Sequence, residues 1–231
     1  MELGCGRGFC THYLAQLMPY VDFLGIDMVE EHIEEARRRA EELKFQRVHF
    51  ETLDMMHIDE LGMEFDVVFA IDSAAHISTQ DGRERLCRGI HRVLRDQGRF
   101  VMIDRFRSDR FEKASAEQKR ATELVERALM IAGFATKQQW ALATRRAGLV
   151  HTWSRDFTAQ AYGFWVTAWR GVRLLLRFPT LVWLFGSMSA DRAMQTTHIL
   201  ALSTMAHAMR NGVALQYGMM TFEAKFKKPP F

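Results

Sequence analysis

Long apolar runs are missing from this sequence: none approaches the roughly 20 residues that a membrane-spanning helix requires, so stable membrane insertion is not expected. Cysteine is scarce. Cys5, Cys10 and Cys87 are odd in number and show neither a CxxC pair nor a Cys/His ligand spacing, which argues against a disulfide framework and a zinc site. Free thiols suit a reducing compartment. With no apolar leader ahead of the first glycine-rich motif, the chain is expected to be cytoplasmic. Charge of one sign is lacking too. A formal net charge of +3, from basic residues scattered along the chain, is not the clustered basic face of a nucleic-acid-binding protein. Repeats and low-complexity segments are absent. What remains is 48% hydrophobic and 26% charged, the make-up of an ordinary globular protein. At 231 residues it is long enough to bury most of its apolar surface without a metal or disulfide staple.

The first hundred residues alternate strand and helix signals. Glu2-Leu3 reads as the end of a strand, so the first strand is expected to be truncated, and Gly4 to Gly8 form a turn. Phe9 to Met18 has helical spacing of apolar positions. A strand over Val21 to Ile26, a charged helix over about Val29 to Leu43 and a short strand over Val48 to Thr52 follow. Phe65 to Ile71 is a continuous apolar run, expected as a strand buried on both faces of a parallel sheet. An amphipathic helix over Arg83 to Leu94 ends at Asp96-Gln97-Gly98 and leads into a fifth strand over Arg99 to Ile103. Such alternation predicts a doubly wound α/β sheet. Residues 112 to 147 then look mainly helical, Val150 to Phe157 a strand, 159 to 211 helical with a break near Phe178-Pro179, and Gln216 to Phe226 a last strand.

Three features sit where an α/β sheet binds ligands. Gly4-Cys5-Gly6-Arg7-Gly8 joins a strand to a helix, and glycines there let backbone approach a ligand that the helix N-terminus attracts. The third glycine of a dinucleotide fingerprint is replaced by Phe9. Asp27 ends the second strand, where a carboxylate can accept both ribose hydroxyls; the plainer reading is a helix N-cap. Asp54 ends the third strand region, placed to accept from an adenine amino group with Met55 against the ring, or to serve as an ordinary turn aspartate.

In their order and spacing these features resemble class I S-adenosylmethionine-dependent methyltransferases. The stretch from Glu2 to Phe106 is similar to the small-molecule sterol, tocopherol, macrolide and sugar O-methyltransferase groups. The resemblance implies a Rossmann-like, mostly parallel seven-stranded sheet with a helical cap inserted before the last strand. It implies that Glu2, Gly4, Gly6 and Gly8, with Cys5 in the same loop, surround the methionine part of the cofactor. Asp27 and Met28 would hold ribose and adenine, Asp54 and Met55 the adenine, and Ile71 would give backbone contacts. One domain is expected over 1–231, with a cofactor-binding core to residue 110 and the cap over about 159–211.

His76 follows strand four, where the acceptor should meet the transferred methyl group, and imidazole is a suitable base near neutral pH. The resemblance makes His76 the base and Asp104, at the end of strand five, its orienting or substrate-binding partner. A contact role for His76, or Mg²⁺ held by Asp72 and Asp104, are the alternatives weighed; no metal is expected. Ile71-Asp72-Ser73-Ala74 stands where nucleic-acid base methylases carry an Asn/Asp-Pro-Pro-aromatic signature, which disfavours a nucleic-acid substrate. The cap region also resembles the family's, at lower specificity. Tyr162, Phe164, Trp165, Trp169, Phe178, Trp183 and Phe185 suit a lipophilic ligand, or simple helix packing. Arg170, Arg173 and Arg177 share one helical face, read as solvated. The expected activity is O-methylation of a small lipophilic metabolite. C-methylation of an isoprenoid or sterol-like acceptor is the nearest rival, and a truncated, non-catalytic cofactor-binding protein the third reading. A homodimer is compatible with any of them.

Overall fold

The computed structural model describes residues 1–175, 177 and 204–225. Strand β1 (Glu2–Leu3) runs into helix α1 (Phe9–Leu17), and β2 (Phe23–Asp27) into α2 (Glu30–Glu42). Then come β3 (Val48–Thr52), a 3-10 segment (Met55–Leu61), β4 (Phe65–Ile71), a 3-10 turn (Ala74–His76), α3 (Gln80–Val93) and β5 (Leu94–Arg107). Helices α4 (Ala116–Ala128) and α5 (Lys137–Arg146), strand β6 (Leu149–Asp156), helix α6 (Thr158–Leu175) and strand β7 (Leu215–Ala224) complete the described chain.

The seven strands lie in the order β3-β2-β1-β4-β5-β7-β6. The sheet is mostly parallel, with helices on both sides and one antiparallel insertion, a Rossmann-like architecture. Short as it is, β1 is interior, pairing Glu2 with Gly25 and Phe69, and Leu3 with Ile26 and Ala70. Strand order reverses here: β2 and β3 step away from β1 on one side, and β4 and β5 on the other. A loop leaving β1 therefore opens onto the crevice where such sheets take ligands.

Contacts gather the chain into two compact units, the first built from Met1–Asp104, Gln138–Ser154 and the described part of Met219–Phe231. The second comprises the described residues of Arg105–Lys137 and Arg155–Gly218. In the first unit Cys5, Ala15, Phe23, Ile33, Ala36, Ala40, Val48 and Phe50 form one core cluster. Leu86, Cys87, Ile90 and Val93 make a buried stripe along α3, and Phe100 stacks on Phe222 with ring centroids 5.8 Å apart. In the second unit a capping box at Ser115 and Gln118 starts α4. Glu126 on α4 receives Arg107 at 2.7 Å and the Phe134 amide at 2.9 Å.

Several expectations shift. Helix α1 buries Thr11, His12 and Ala15, while Phe9, Tyr13 and Leu17 stay exposed. Strand β4 is not buried along its whole length: Asp66 and Val67 are exposed, and only Val68, Phe69 and Ala70 reach the core. Helix α3 begins three residues early because the Thr79 hydroxyl accepts from the Gly82 amide and caps it. The fifth strand also begins early. Leu94 pairs with Phe65 and Arg99 with Val67, and the surplus residues bulge out at Gln97, whose φ is +63°. The break near Phe178-Pro179, the aromatic residues Phe178, Trp183 and Phe185, and the strand end at Phe226 lie outside the described residues.

Candidate active site

The glycine loop is held at its edge by two backbone bonds, Cys5 N–H to Ile26 O at 2.8 Å and Gly8 N–H to Cys5 O at 3.0 Å. Two of its glycines are needed for different reasons. At Gly4 φ is +64°, and an added Cβ would meet Ser73 Cβ at 2.6 Å and Met55 Cε at 3.2 Å. Gly4 thus lets the loop after β1 press against the loop after β4. At Gly6 φ is +52°, and a Cβ would meet nothing within 4 Å. That open side is a cradle a ligand can approach. The Cys5 thiol donates to Gly6 O at 3.5 Å and lies in the core cluster, where burial pushes it well above its ordinary range.

Glu2 points beneath the N-terminus of α1. Its carboxylate accepts from the Thr11 hydroxyl and backbone, and from the Cys10 thiol. Burial raises its pKa to about 7, against the opposing pull of the Thr11 hydrogen bonds. The folded state therefore holds a proton on Glu2 between about pH 4.5 and 7 that the unfolded chain releases. Its contribution to stability is full below pH 4.5, falls as pH rises through that window and is gone above 7. A shift from 4.5 to about 7 corresponds to on the order of 3 kcal/mol. Chemical unfolding of Glu2→Gln beside the parent at pH 5, 6, 7 and 8 should show the variant gaining that much relative stability. Parallel curves would mean that the carboxyl ionises as freely folded as unfolded.

Asp27, at the end of β2, is wired into the same loop. Oδ2 accepts the Gly6 amide at 2.8 Å, and Oδ1 accepts the Val29 amide at 3.0 Å, with His32 Nδ1 at 3.7 Å. Its oxygens keep lone pairs for hydroxyl donors. The N-cap of α2 is Val29, without a side-chain cap bond, so Asp27 is not the cap of that helix; it faces the glycine loop instead. Met28 beside it is 71% exposed, available as a hydrophobic face. Asp54 is exposed and caps the 3-10 segment, accepting the Met56 amide at 2.9 Å. Met55 is brought back against the glycine loop by the contact with Gly4. Ile71 closes β4 half-buried, paired with Ile103.

Beyond Ile71 the chain turns sharply. Asp72 takes a φ of +53° and donates its amide to Ile103 O at 2.9 Å. Ser73 Oγ donates to Leu3 O at 2.6 Å, tying this loop to β1. Asp104, 1% exposed, accepts the Ala75 amide on Oδ2 at 2.9 Å. His76 follows, exposed at the end of the 3-10 turn, with its amide donating to Ser73 O at 3.3 Å. The structure thus brings the Asp104 carboxylate to the residue beside His76. Among the described residues no group of three or more His, Cys, Asp or Glu side chains assembles to hold a metal ion.

Ser73 and Arg83 shape the loops around the candidate site, and the sequence reading missed both. Ser73 gave no signal beyond a small polar residue two places after a strand. Arg83 did give one: it occupies the apolar stripe of α3 with Leu86, Cys87, Ile90 and Val93, where a charged residue is out of pattern.

In the second unit, Tyr162, Phe164, Trp165 and Trp169 lie on α6, with Phe164 edge-on to Trp165 at 5.0 Å. Phe164 is 63% exposed. Arg170, Arg173 and Arg177 are exposed, as a solvated face would be. No helix among the described residues is long and apolar enough to cross a membrane.

A glycine loop at the sheet's reversal point, acids closing β2 and β3, and a histidine loop after β4 define a class of enzyme. A methyltransferase-domain family model matches residues 1–157. The chain belongs to that family, among the class I S-adenosylmethionine-dependent methyltransferases of small-molecule type, and its cofactor is S-adenosylmethionine. It is similar to the S-adenosyl-L-methionine-dependent Diels-Alderase iccD of Talaromyces variabilis, 28% identical over 168 residues, covering 68% of this chain and 55% of that protein. Methyltransferase GfsG of Streptomyces halstedii is 30% identical over 105 residues, 45% of this chain and 36% of that protein. The chain thus spans little more than half the length of the first of these relatives and about a third of the second. Among solved structures, cyclopropane synthase MmaA2 of Mycobacterium tuberculosis shares the fold at a TM-score of 0.75 and 13% identity, over 96% of this chain and 76% of that one. The residues fit the cofactor: Gly6 leaves open space where a Cβ would intrude, and Asp27 offers hydroxyl acceptors beside it.

Proposed function

We propose that this chain transfers the methyl group of S-adenosylmethionine to an oxygen of a small lipophilic metabolite, with His76 as the base and Asp104 holding its loop. The observation that carries the proposal is the junction of two loops. Ser73 bonds to Leu3 and packs on Gly4, so the exposed His76 stands three residues from the glycine loop that would enclose the methionine end. When bound, the cofactor supplies a methyl group on a positively charged sulfur. The chain's own residues do the rest. Glu2, Gly4, Gly6 and Gly8 would enclose the methionyl group, Asp27 and Met28 the ribose and adenine, and Asp54 and Met55 the adenine edge, with Ile71 giving backbone contacts. Cys5 would take part through its backbone. His76 would take the hydroxyl proton as the oxygen attacks, on a loop held in place before the acceptor arrives.

Several observations support the surrounding readings. Aromatic residues on α6 suit an apolar acceptor. Free Cys5, Cys10 and Cys87 suit a reducing, cytoplasmic setting.

Labelled-methyl transfer from the cofactor to panels of terpenoids, polyketides and glycosides tests the proposal. Label recovered on oxygen supports it, whereas label on carbon of an isoprenoid would replace it with the C-methylation reading. Because the Talaromyces relative is named for a cycloaddition, each product should also be weighed. A product without an added methylene would mean that the site uses its cofactor without transferring from it. Calorimetric titration addresses cofactor binding directly. Asp27→Ala should weaken cofactor affinity about ten- to a hundredfold, since it removes charged acceptors and orphans the Gly6 amide. Equal affinities would remove Asp27 from the ribose site, and no heat from the parent chain would favour a non-catalytic fragment.

A further inference from the structure

The loop that carries His76 is gripped on both flanks by buried polar side chains. Ahead of the histidine, Asp104 accepts the Ala75 amide. Behind it, a guanidinium Nη of Arg83 donates to Ile77 O at 3.1 Å and to Ser78 O at 2.7 Å, and the other Nη donates to Gln80 Oε1 at 3.1 Å. Arg83 is 2% exposed. Its guanidinium lies 6.0 Å from the centre of the Trp140 ring, and its Nε is buried with no partner. Among the described residues no carboxylate forms an ion pair with it; neighbouring Glu84 is engaged by Gln80 and Arg146.

A charge buried on these terms is costly. Helix α3 does not need it, because Thr79 already caps the first turn. Filling the volume does not need it either, because a methionine or leucine at this place would extend the apolar stripe without desolvating a cation. Burial accordingly holds the guanidinium below its ordinary pKa. What only a multidentate donor can do here is collect two consecutive carbonyls that the loop turns inward, fixing its path directly after His76.

We infer that Arg83 is a positioning residue for methyl transfer, holding the 77–78 backbone so that the His76 ring faces the acceptor. This rests on His76 acting as the base, and the test keeps the two apart. Turnover is measured for Arg83→Ala, Arg83→Lys, His76→Ala and the double variant His76→Ala/Arg83→Ala, with cofactor affinity by calorimetry. Arg83→Ala should lower kcat about tenfold or more with cofactor affinity unchanged. Arg83→Lys should recover part of the loss, and millimolar guanidinium ion should partly rescue the alanine variant. In the His76→Ala background the arginine change should cost nothing further, because its effect passes through the missing ring. A full additional loss in the double variant, or a wild-type rate for Arg83→Ala, overturns the inference. Undiminished turnover in His76→Ala instead overturns the base reading on which it stands. A readout free of substrate comes from the His76 ring resonances, assigned by their loss in His76→Ala. Arg83→Lys should displace them while those of His49 on β3 stay put; unmoved His76 resonances count against the inference whatever the acceptor.

Discussion

Gly4→Ala is expected to abolish measurable cofactor binding and to destabilise the fold by about 2–5 kcal/mol. Two costs add. A residue with a Cβ at a left-handed φ carries roughly 1–2 kcal/mol, and an overpacked core contact roughly 1–3 kcal/mol. The contact is severe because the new methyl would meet Ser73 Cβ at 2.6 Å. Ser73 has no room to retreat, being buried and hydrogen-bonded to Leu3. Either β1 or the loop carrying His76 must move. Gly6→Ala is the control. It carries the same backbone penalty but no steric clash, so it should unfold within about 1–2 kcal/mol of the parent while its methyl occupies the cradle and weakens cofactor binding. Thermal unfolding with calorimetric titration of both variants checks the pair. A Gly4→Ala protein binding cofactor as the parent does would show that the two loops are not pressed together.

His76→Ala should lower turnover about a hundredfold or more while leaving cofactor affinity nearly intact. His76 is exposed, and none of the hydrogen bonds shaping the glycine loop involves its ring. Its thermal stability should stay close to the parent's, which separates lost chemistry from lost fold. Steady-state rates at saturating cofactor read this directly, and an unchanged rate removes His76 from the mechanism.

Most of the fold could be read from local pattern because its signals are local. Strand β3 falls on its expected short segment and β4 on its apolar run, and glycines and charged stretches punctuate the helices. The misjudged boundaries have nonlocal causes. Helix α3 starts at a side-chain cap that polar spacing does not announce, and β5 gains residues from a bulge whose partner Phe65 is far along the chain. The β4 run looked fully buried because hydrophobicity says nothing of which half of a strand its neighbours cover. At the site, the glycines and Asp27 were legible as types at fixed offsets from strand ends, whereas their mutual wiring was not. That Asp27 accepts from Gly6 is a contact between residues 21 apart. Asp54 is an exposed cap of the 3-10 segment, as its turn reading expected. Ser73 escaped notice because its partner is a backbone carbonyl, which no side-chain pattern records, and Arg83 because its break in the apolar stripe does not say which carbonyls it reaches.

Asp72 leaves β4 with its backbone in the left-handed basin. Few side chains settle there cheaply: glycine has no Cβ to clash, and asparagine and aspartate bond back to their own backbone. Over long descent, position 72 should therefore wander among those three, and a valine or isoleucine should turn up only in lineages whose neighbouring loop has been rebuilt. The alphabet allowed at that corner is a historical record of the bend itself, written whether or not the carboxylate ever touches an acceptor.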